Sequence, residues 1–134
     1  MITGGILWKT DYEVNFFDID VQHKLFVRII ERIVTEYNAK HKEQCVKLIS
    51  ELIRYTEFHF SSEENFMEKY QYPEIDHHKM EHKKLLVNLR ERIISFDYDN
   101  INFEEVVTFL LDWFRTHTVS EDKKLAEFLN SSLV

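Results

Sequence analysis

Glycine, proline and cysteine are nearly absent from this sequence. It contains two glycines and one proline in 134 residues, whereas an all-β sandwich or barrel needs turn residues about every 8–12 positions. The glycines are the adjacent Gly4 and Gly5, which excludes a glycine-rich phosphate-binding loop. The single cysteine, Cys45, cannot form an internal disulfide, and its helical context favours a core or boundary position over a reactive thiol. These absences favour an all-α protein.

Excess positive charge and long apolar runs are missing as well. The 17 basic and 24 acidic residues give a net charge of −7, which argues against nucleic acid or anionic lipid as a partner. No apolar run approaches the roughly 18 residues that span a bilayer. The first residues, MITGGILWKTDYE, lack the basic segment of a secretory signal. We therefore expect a cytoplasmic protein with no membrane or nucleic-acid partner.

Apolar residues recur at intervals of three to four positions in four long segments, which is the pattern of amphipathic helices. In the first segment Asp18 and Asp20 are candidate N-caps, and Val21, Leu25 and Ile29 lie on the predicted apolar face. The first helix is predicted to end near Tyr37-Asn38. The second runs from about Glu43 to Tyr70, the third has Pro73 in its first turn, and the fourth opens at Asn102, which forms a capping box with Glu105.

Short connections between four such helices favour an antiparallel up-down-up-down four-helix bundle. Residues 1–17 carry four aromatic side chains without a helical period, so we expect an ordered N-terminal arm packed on the bundle; these are Trp8, Tyr12, Phe16 and Phe17. A short C-terminal helical piece, EDKKLAEFL, follows Ser120, a candidate cap. The length fits a single domain over residues 1–134.

Polar residues interrupt the apolar faces of all four helices. Five histidines occupy core-facing positions, namely His23, His59, His78, His82 and His117, and Glu63 points the same way as His59. Each buried polar group left unpaired costs about 1–3 kcal/mol, which a domain with about 5–15 kcal/mol of net stability cannot sustain six times. Either these groups bond to one another or a metal binds them, and a metal site is the simpler explanation. His41 and His77 lie off the apolar stripes and are expected at the surface or behind the site.

The spacing of these residues fits a metal site. His59 with Glu63 and His78 with His82 are i, i+4 pairs, which place two donors on one side of a helix. His117 and Asp122 are five apart, about 140° around a regular helix, so both face inward only if the helix breaks or bulges between them.

The number and type of donors narrow the choice of metal. Five imidazoles and two carboxylates are more donors than one tetrahedral zinc ion can bind. Calcium and magnesium prefer oxygen ligands, so a site with five histidines does not suit them. Two metal ions bridged by both carboxylates would use all seven donors. Imidazole suits iron, copper, zinc and nickel, so the donors alone leave the metal open.

Four segments resemble the motifs of hemerythrins, particularly the single-domain bacterial ones: DIDVQHKLF, HFSSEENFM, YPEIDHHKMEH and WFRTHTVSEDKK. The match spans essentially the whole chain, including Trp8, and fills all seven ligand positions in order. The resemblance implies a four-helix bundle that holds two iron ions with an oxo or hydroxo bridge and binds dioxygen reversibly.

By motif, the resemblance assigns a role to each donor. His78, His82 and His117 would bind one iron, His23 and His59 the other, and Glu63 and Asp122 would bridge them. Counting ligands leaves one open position, on the His23/His59 iron, where dioxygen would bind. Four aromatic residues near the ligands could form an apolar oxygen pocket, or simply pack the core: Phe26, Phe60, Trp113 and Phe114.

Three residues depart from the family pattern without removing a ligand. Phe114 and Thr118 stand where aliphatic residues are common, and Asn15 stands where glycine is common; the first two bear on oxygen affinity and ligand access. The leading interpretation is a non-enzymatic protein for oxygen storage, transport or delivery to an oxygen-consuming enzyme, with sensing less favoured. The alternatives are a di-iron enzyme acting on peroxide or nitric oxide, and an iron store or protector. Oligomeric state cannot be read from the sequence.

Overall fold

The computed structural model describes residues 7–93 and 97–132, and all regular secondary structure within these ranges is helical. Five α-helices follow in chain order: α1 Phe17–Asn38, α2 Lys42–Lys69, α3 Ile75–Arg92, α4 Phe103–His117 and α5 Lys123–Ser132. Two 3₁₀ turns, Thr10–Tyr12 and Tyr98–Asn100, precede α1 and α4. None of the described helices is long and apolar enough to cross a bilayer.

Helices α1 to α4 form the antiparallel four-helix bundle that the sequence predicts. Each packs on the next in the chain, and α4 closes the ring against α1. The buried residues form two apolar clusters. The larger lies in the body of the bundle and includes Phe26, Phe60, Leu85 and Phe114. The smaller lies at the end near the arm and α5, and includes Ile19, Met67 and Leu125.

The described part of the N-terminal arm, which begins at Leu7, packs on the bundle. Tyr12 and Phe16 are buried, and Trp8 packs partly buried against the larger cluster. Phe17 differs from the prediction, because it begins α1 on the solvent side and is 80% exposed. Residues 1–6 of the predicted arm lie outside the described residues.

The predicted aspartate caps of α1 are wrong, since Phe16 occupies the N-cap position and no side chain caps the helix. Asp20 instead turns back to the arm. Its two carboxylate oxygens accept hydrogen bonds from the backbone N–H groups of Val14 at 2.8 Å and Asn15 at 3.1 Å. Asn15 has φ of 66°, a left-handed conformation that asparagine tolerates better than most residues and glycine better still.

Two further details of the helices differ from the sequence prediction, and one agrees with it. Val21 and Leu25 are 39% and 49% exposed, because the face of α1 that carries His23 and Phe26 turns to the core and leaves them on the outside. Pro73 lies two residues before α3 rather than in its first turn. The predicted cap of α4 is confirmed, since the Asn102 side chain accepts from the Glu105 N–H.

The predicted bulge after His117 is confirmed as a π-helical turn, Thr118–Asp122, that joins α4 to α5 without a break. The N–H of Lys123 donates to the carbonyl of Thr118, five residues back, which is the π-helical bond. Ser120 does not cap α5, because its hydroxyl donates to the carbonyl of Thr116. The C-terminal helical piece is therefore continuous with α4.

We expect Asp20→Ala to lower the free energy of unfolding by about 1–3 kcal/mol, because two backbone N–H groups of the arm lose their acceptor. Urea unfolding followed by circular dichroism measures this change. The matched control is Asp18→Ala, which removes an exposed carboxylate from the same helical turn. Equal stability of the two variants would show that Asp20 does not hold the arm.

Candidate metal centre

The structure brings all seven predicted donor residues together in the interior. His23 comes from α1, His59 and Glu63 from α2, His78 and His82 from α3, His117 from the end of α4, and Asp122 from the π turn. Each is at most 4% exposed. On α1 the donor lies between Ile19 of the smaller apolar cluster and Phe26 of the larger one, and around the π turn the donors lie between Phe114 of the larger cluster and Leu125 of the smaller one. The polar cluster therefore lies between the two apolar clusters.

The two remaining histidines lie outside this cluster, as predicted. The His41 ring contacts Glu36 at 2.6 Å and the His77 ring contacts Glu121 at 3.5 Å, and both histidine side chains are more than half exposed.

Glu63 divides its two oxygens between two groups of imidazoles. Oε1 lies 3.0 Å from Nε2 of His78 and 3.1 Å from Nε2 of His82. Oε2 lies 3.0 Å from Nε2 of His59 and 3.5 Å from Nε2 of His23. One carboxylate therefore faces a group on α3 with one oxygen and a group on α1 and α2 with the other.

Asp122 divides its oxygens between the same two groups. Oδ1 lies 3.1 Å from Nε2 of both His78 and His117, and Oδ2 lies 3.0 Å from Nε2 of His23. His78, His82 and His117 thus form a three-imidazole side, and His23 with His59 forms a two-imidazole side. Both carboxylates lie between the sides, which is the arrangement of bridging ligands.

The π turn makes this position of Asp122 attainable. In a regular α-helix, residues five apart lie about 140° apart around the axis. The wider turn between His117 and Asp122 returns both side chains to the inner face of the bundle.

The donor set fits two cations. Several of its buried atoms have no hydrogen bond among the described residues although an opposite partner lies close: His82 Nε2, His117 Nε2, Glu63 Oε2 and Asp122 Oδ1. The nitrogen and oxygen atoms are therefore close to one another without the geometry of a hydrogen bond. The seven donor residues form two groups, each with ligand atoms within 4.8 Å of one another: Glu63, His78, His82, His117 and Asp122 in one, and His23, His59 and Glu63 in the other. Imidazole and carboxylate donors converging in this way suit transition-metal ions.

The electrostatics keep both carboxylates ionised. Burial alone would raise the pKa of Glu63, yet its contacts with His59, His23 and His78 hold that pKa well below its usual value. Burial and the charge of Glu63 would also raise the pKa of Asp122, but His117 and His23 hold it well below its usual value. The burial of His59 lowers the pKa of that imidazole. Burial would lower the pKa of His23 and His78 as well, but hydrogen bonds to Asp122 and Glu63 raise them to about 9 and about 10. Without metal the buried carboxylates are therefore balanced by protonated imidazoles, which must release their protons when a metal ion binds.

Two residues behind the donors orient their rings, and helical periodicity singles out neither of them. Nδ1 of His59 lies 2.7 Å from Oε1 of Gln22, and Nδ1 of His82 lies 3.0 Å from Oε2 of Glu64. Partners of this kind fix the ring orientation of a metal-ligating histidine and tune its basicity. The only hint in the sequence is that each residue stands next to a donor: Gln22 precedes His23, and Glu64 follows Glu63. Each of them contacts the ring of a donor on the neighbouring helix.

Aromatic rings cover the two sides differently. Phe60 stacks on His82 at 3.7 Å between centroids, and Trp113 stacks on His117 at 4.4 Å. On the two-imidazole side, Phe114 meets the His23 ring edge-on at 5.1 Å and is itself stacked on Phe26 at 5.5 Å. Phe60 also lies 5.8 Å from the His59 ring, so Phe60 and Trp113 mainly cover the three-imidazole side, and Phe114, with Phe26 behind it, covers the two-imidazole side. A role of these rings as an oxygen pocket stays a prediction.

We expect Glu64→Ala to weaken retention of the metal at the three-imidazole side by about 10–100-fold, because the His82 ring loses the carboxylate that orients it. Competition with a chelator, followed by metal analysis of the protein, measures the effect. Glu68→Ala is the matched control, since Glu68 is an exposed carboxylate on the same helix that pairs with Lys79 at 2.9 Å. Identical metal retention in the two variants would exclude this role for Glu64.

Comparison with known proteins agrees with this geometry. Residues 16–129 match the family described as "Hemerythrin HHE cation binding domain". Relatives named "Bacteriohemerythrin" include one from Clostridium acetobutylicum, 27% identical over 88% of this chain and 96% of the relative. Another, from Campylobacter jejuni, is 32% identical over 82% of this chain and 84% of the relative. A third, from Pseudomonas aeruginosa, is 26% identical over 96% of this chain and 84% of the relative. The match over most of the chain, with the buried histidine and carboxylate cluster inside it, shows that this protein belongs to the hemerythrin family.

Proposed function

We propose that this protein binds dioxygen reversibly at a non-haem di-iron centre held by the seven clustered residues. The observation that carries the proposal is the division of Glu63 and Asp122, each with one oxygen toward either imidazole group. Two bridging carboxylates fit two metal ions held close together. Membership of the hemerythrin family supports iron as the metal. Two iron ions, when bound, supply the redox chemistry through which dioxygen is taken up and released.

The residues have distinct roles in this proposal. His78, His82 and His117 would hold one iron, His23 and His59 would hold the other, and both carboxylates would be shared between them. With the same bridges on each side, the two-imidazole side has one protein donor fewer. The external ligand therefore binds beside His23 and His59, where Phe114 lies against the His23 ring.

The apolar residues around the ligand position help to keep oxygen binding reversible. Phe26 and Phe114 are at most 2% exposed, and they exclude water from the side where the ligand binds. Water and protons that reach a reduced iron centre promote its irreversible oxidation, so a dry pocket prolongs the oxygen-binding state.

The balance of donors favours binding over oxygenase chemistry. Five neutral imidazoles against two carboxylates donate less negative charge than the glutamate-rich sites of ferritin-like di-iron proteins. Less anionic donation disfavours the high oxidation states needed to break dioxygen. The proposed role is therefore oxygen storage, transport or delivery to an oxygen-consuming enzyme rather than catalysis.

The central test is metal analysis combined with visible spectroscopy on the purified protein, reduced without air, exposed to oxygen and then flushed with inert gas. We expect about two irons per chain and a charge-transfer band that appears with oxygen and fades on its removal. Irreversible conversion to the oxidised state would instead support the enzyme alternative. Ready loss of the iron would support the storage alternative, and absence of iron would contradict all three.

A second test separates the two sides of the centre. We expect His59→Ala to abolish oxygen binding while the three-imidazole side retains part of the iron, because His59 belongs to the side that receives the ligand. Iron analysis and the oxygen-dependent spectrum measure both properties. His77→Ala removes an exposed imidazole outside the cluster and should change neither. Normal oxygen binding by His59→Ala would overturn the assignment of sides.

A further inference from the structure

The hydroxyl of Thr118 is an unsatisfied polar group in the interior. Thr118 is 0% exposed, and its Oγ1 has no hydrogen-bond partner among the residues that the structure describes. A buried hydroxyl without a partner costs about 1–3 kcal/mol. Such a group is therefore a natural donor for something that binds next to it.

Several other hydroxyls on the helices, including a fully buried one, are satisfied by the backbone. Thr56, also 0% exposed, donates to the carbonyl of Leu52 at 2.7 Å. Thr116 donates to the carbonyl of Asp112 at 2.9 Å, and Ser120 to that of Thr116 at 2.9 Å. This bond to the carbonyl four residues back is the usual solution for a helical threonine or serine, and Thr118 does not use it.

Helix geometry places Thr118 near the two-imidazole side of the centre. It lies one helical turn after Phe114 and four residues before Asp122, on the same helix face as Phe114. Phe114 contacts the His23 ring at 5.1 Å, and Oδ2 of Asp122 lies 3.0 Å from His23 Nε2. Both neighbours of Thr118 along this face therefore contact His23, the residue on the side with one donor fewer.

We infer that the Thr118 hydroxyl donates a hydrogen bond to the external ligand bound beside His23. The inference rests on the proposed di-iron centre and deepens it, because it assigns a polar contact to a pocket otherwise lined by aromatic rings. The ligand it favours is a small acceptor, a compact anion or dioxygen carrying partial negative charge. Thr118 holds that ligand without binding metal itself.

The test uses the oxidised, iron-loaded protein with azide as the probe. We expect Thr118→Val, which has the same shape without the hydroxyl, to weaken azide binding roughly tenfold, the effect of one hydrogen bond to a charged acceptor. Titration of the visible absorption gives the dissociation constant. The infrared stretch of bound azide, recorded in H₂O and D₂O, reports the hydrogen bond directly. Its isotope shift should be present in the unmodified protein and absent from Thr118→Val.

Two variants act as controls. Thr118→Ser restores the hydroxyl and should restore both the affinity and the isotope shift. Thr56→Val removes another fully buried hydroxyl, one that bonds only to its own helix, and should leave azide binding unchanged. Iron analysis of every variant shows whether the centre is loaded, and Thr118→Ala replaces Thr118→Val if the latter fails to retain iron.

The outcomes separate this inference from the proposed function. Unchanged azide affinity and isotope shift in Thr118→Val, or no isotope shift in the unmodified protein, would overturn the role of Thr118. A reversible oxygen spectrum from an iron-loaded protein that binds no azide would also overturn it while leaving the proposed function intact. Absence of iron from the unmodified protein would instead contradict the di-iron centre itself.

Discussion

Every helix of the bundle contributes to one buried group of ionisable side chains, and satisfying that group is the constraint on which the structure depends. Glu63 and Asp122 lie in the interior with five imidazoles around them, all at most 4% exposed. Their charges are tolerated because each carboxylate oxygen faces a histidine nitrogen. The apolar clusters on either side exclude water, so the polar group must be satisfied from within, by its own members or by metal ions.

The two sides of the centre are not equivalent. His59 is oriented by the neutral amide of Gln22, which is itself held through its side-chain donor to Ser62 at 3.0 Å. His82 is oriented by the carboxylate of Glu64. A carboxylate partner makes an imidazole a stronger electron donor than an amide partner does. In the proposed centre, the three-imidazole side would therefore provide more electron donation as well as one more ligand, and the two-imidazole side would be left for an external molecule.

Helical periodicity predicts the bundle and the inward positions of the donors, because a residue's angle on a regular helix depends only on its place in the chain. The same reasoning finds the bulge after His117, since two inward residues five apart require one. It fails for Val21 and Leu25, because α1 carries apolar residues on two faces and the packing of the other helices decides which face is buried. It also fails for Asp20, Gln22 and Glu64, whose partners come from the arm or from another helix. The roles of the seven donors as iron ligands stay a prediction.

The π turn at Thr118–Asp122 also sets the rotational phase of all that follows it. One residue fewer in this turn would restore a regular α-helix and rotate the rest of the chain by about 100°. Leu125, Ala126 and Leu129, which are 0% exposed in the smaller cluster, would then face away from it, and Asp122 would leave His23. The extra residue thus serves the centre and the C-terminal helix at once. A deletion here cannot be absorbed as a loop deletion is, because the centre and the packing of α5 would be lost together.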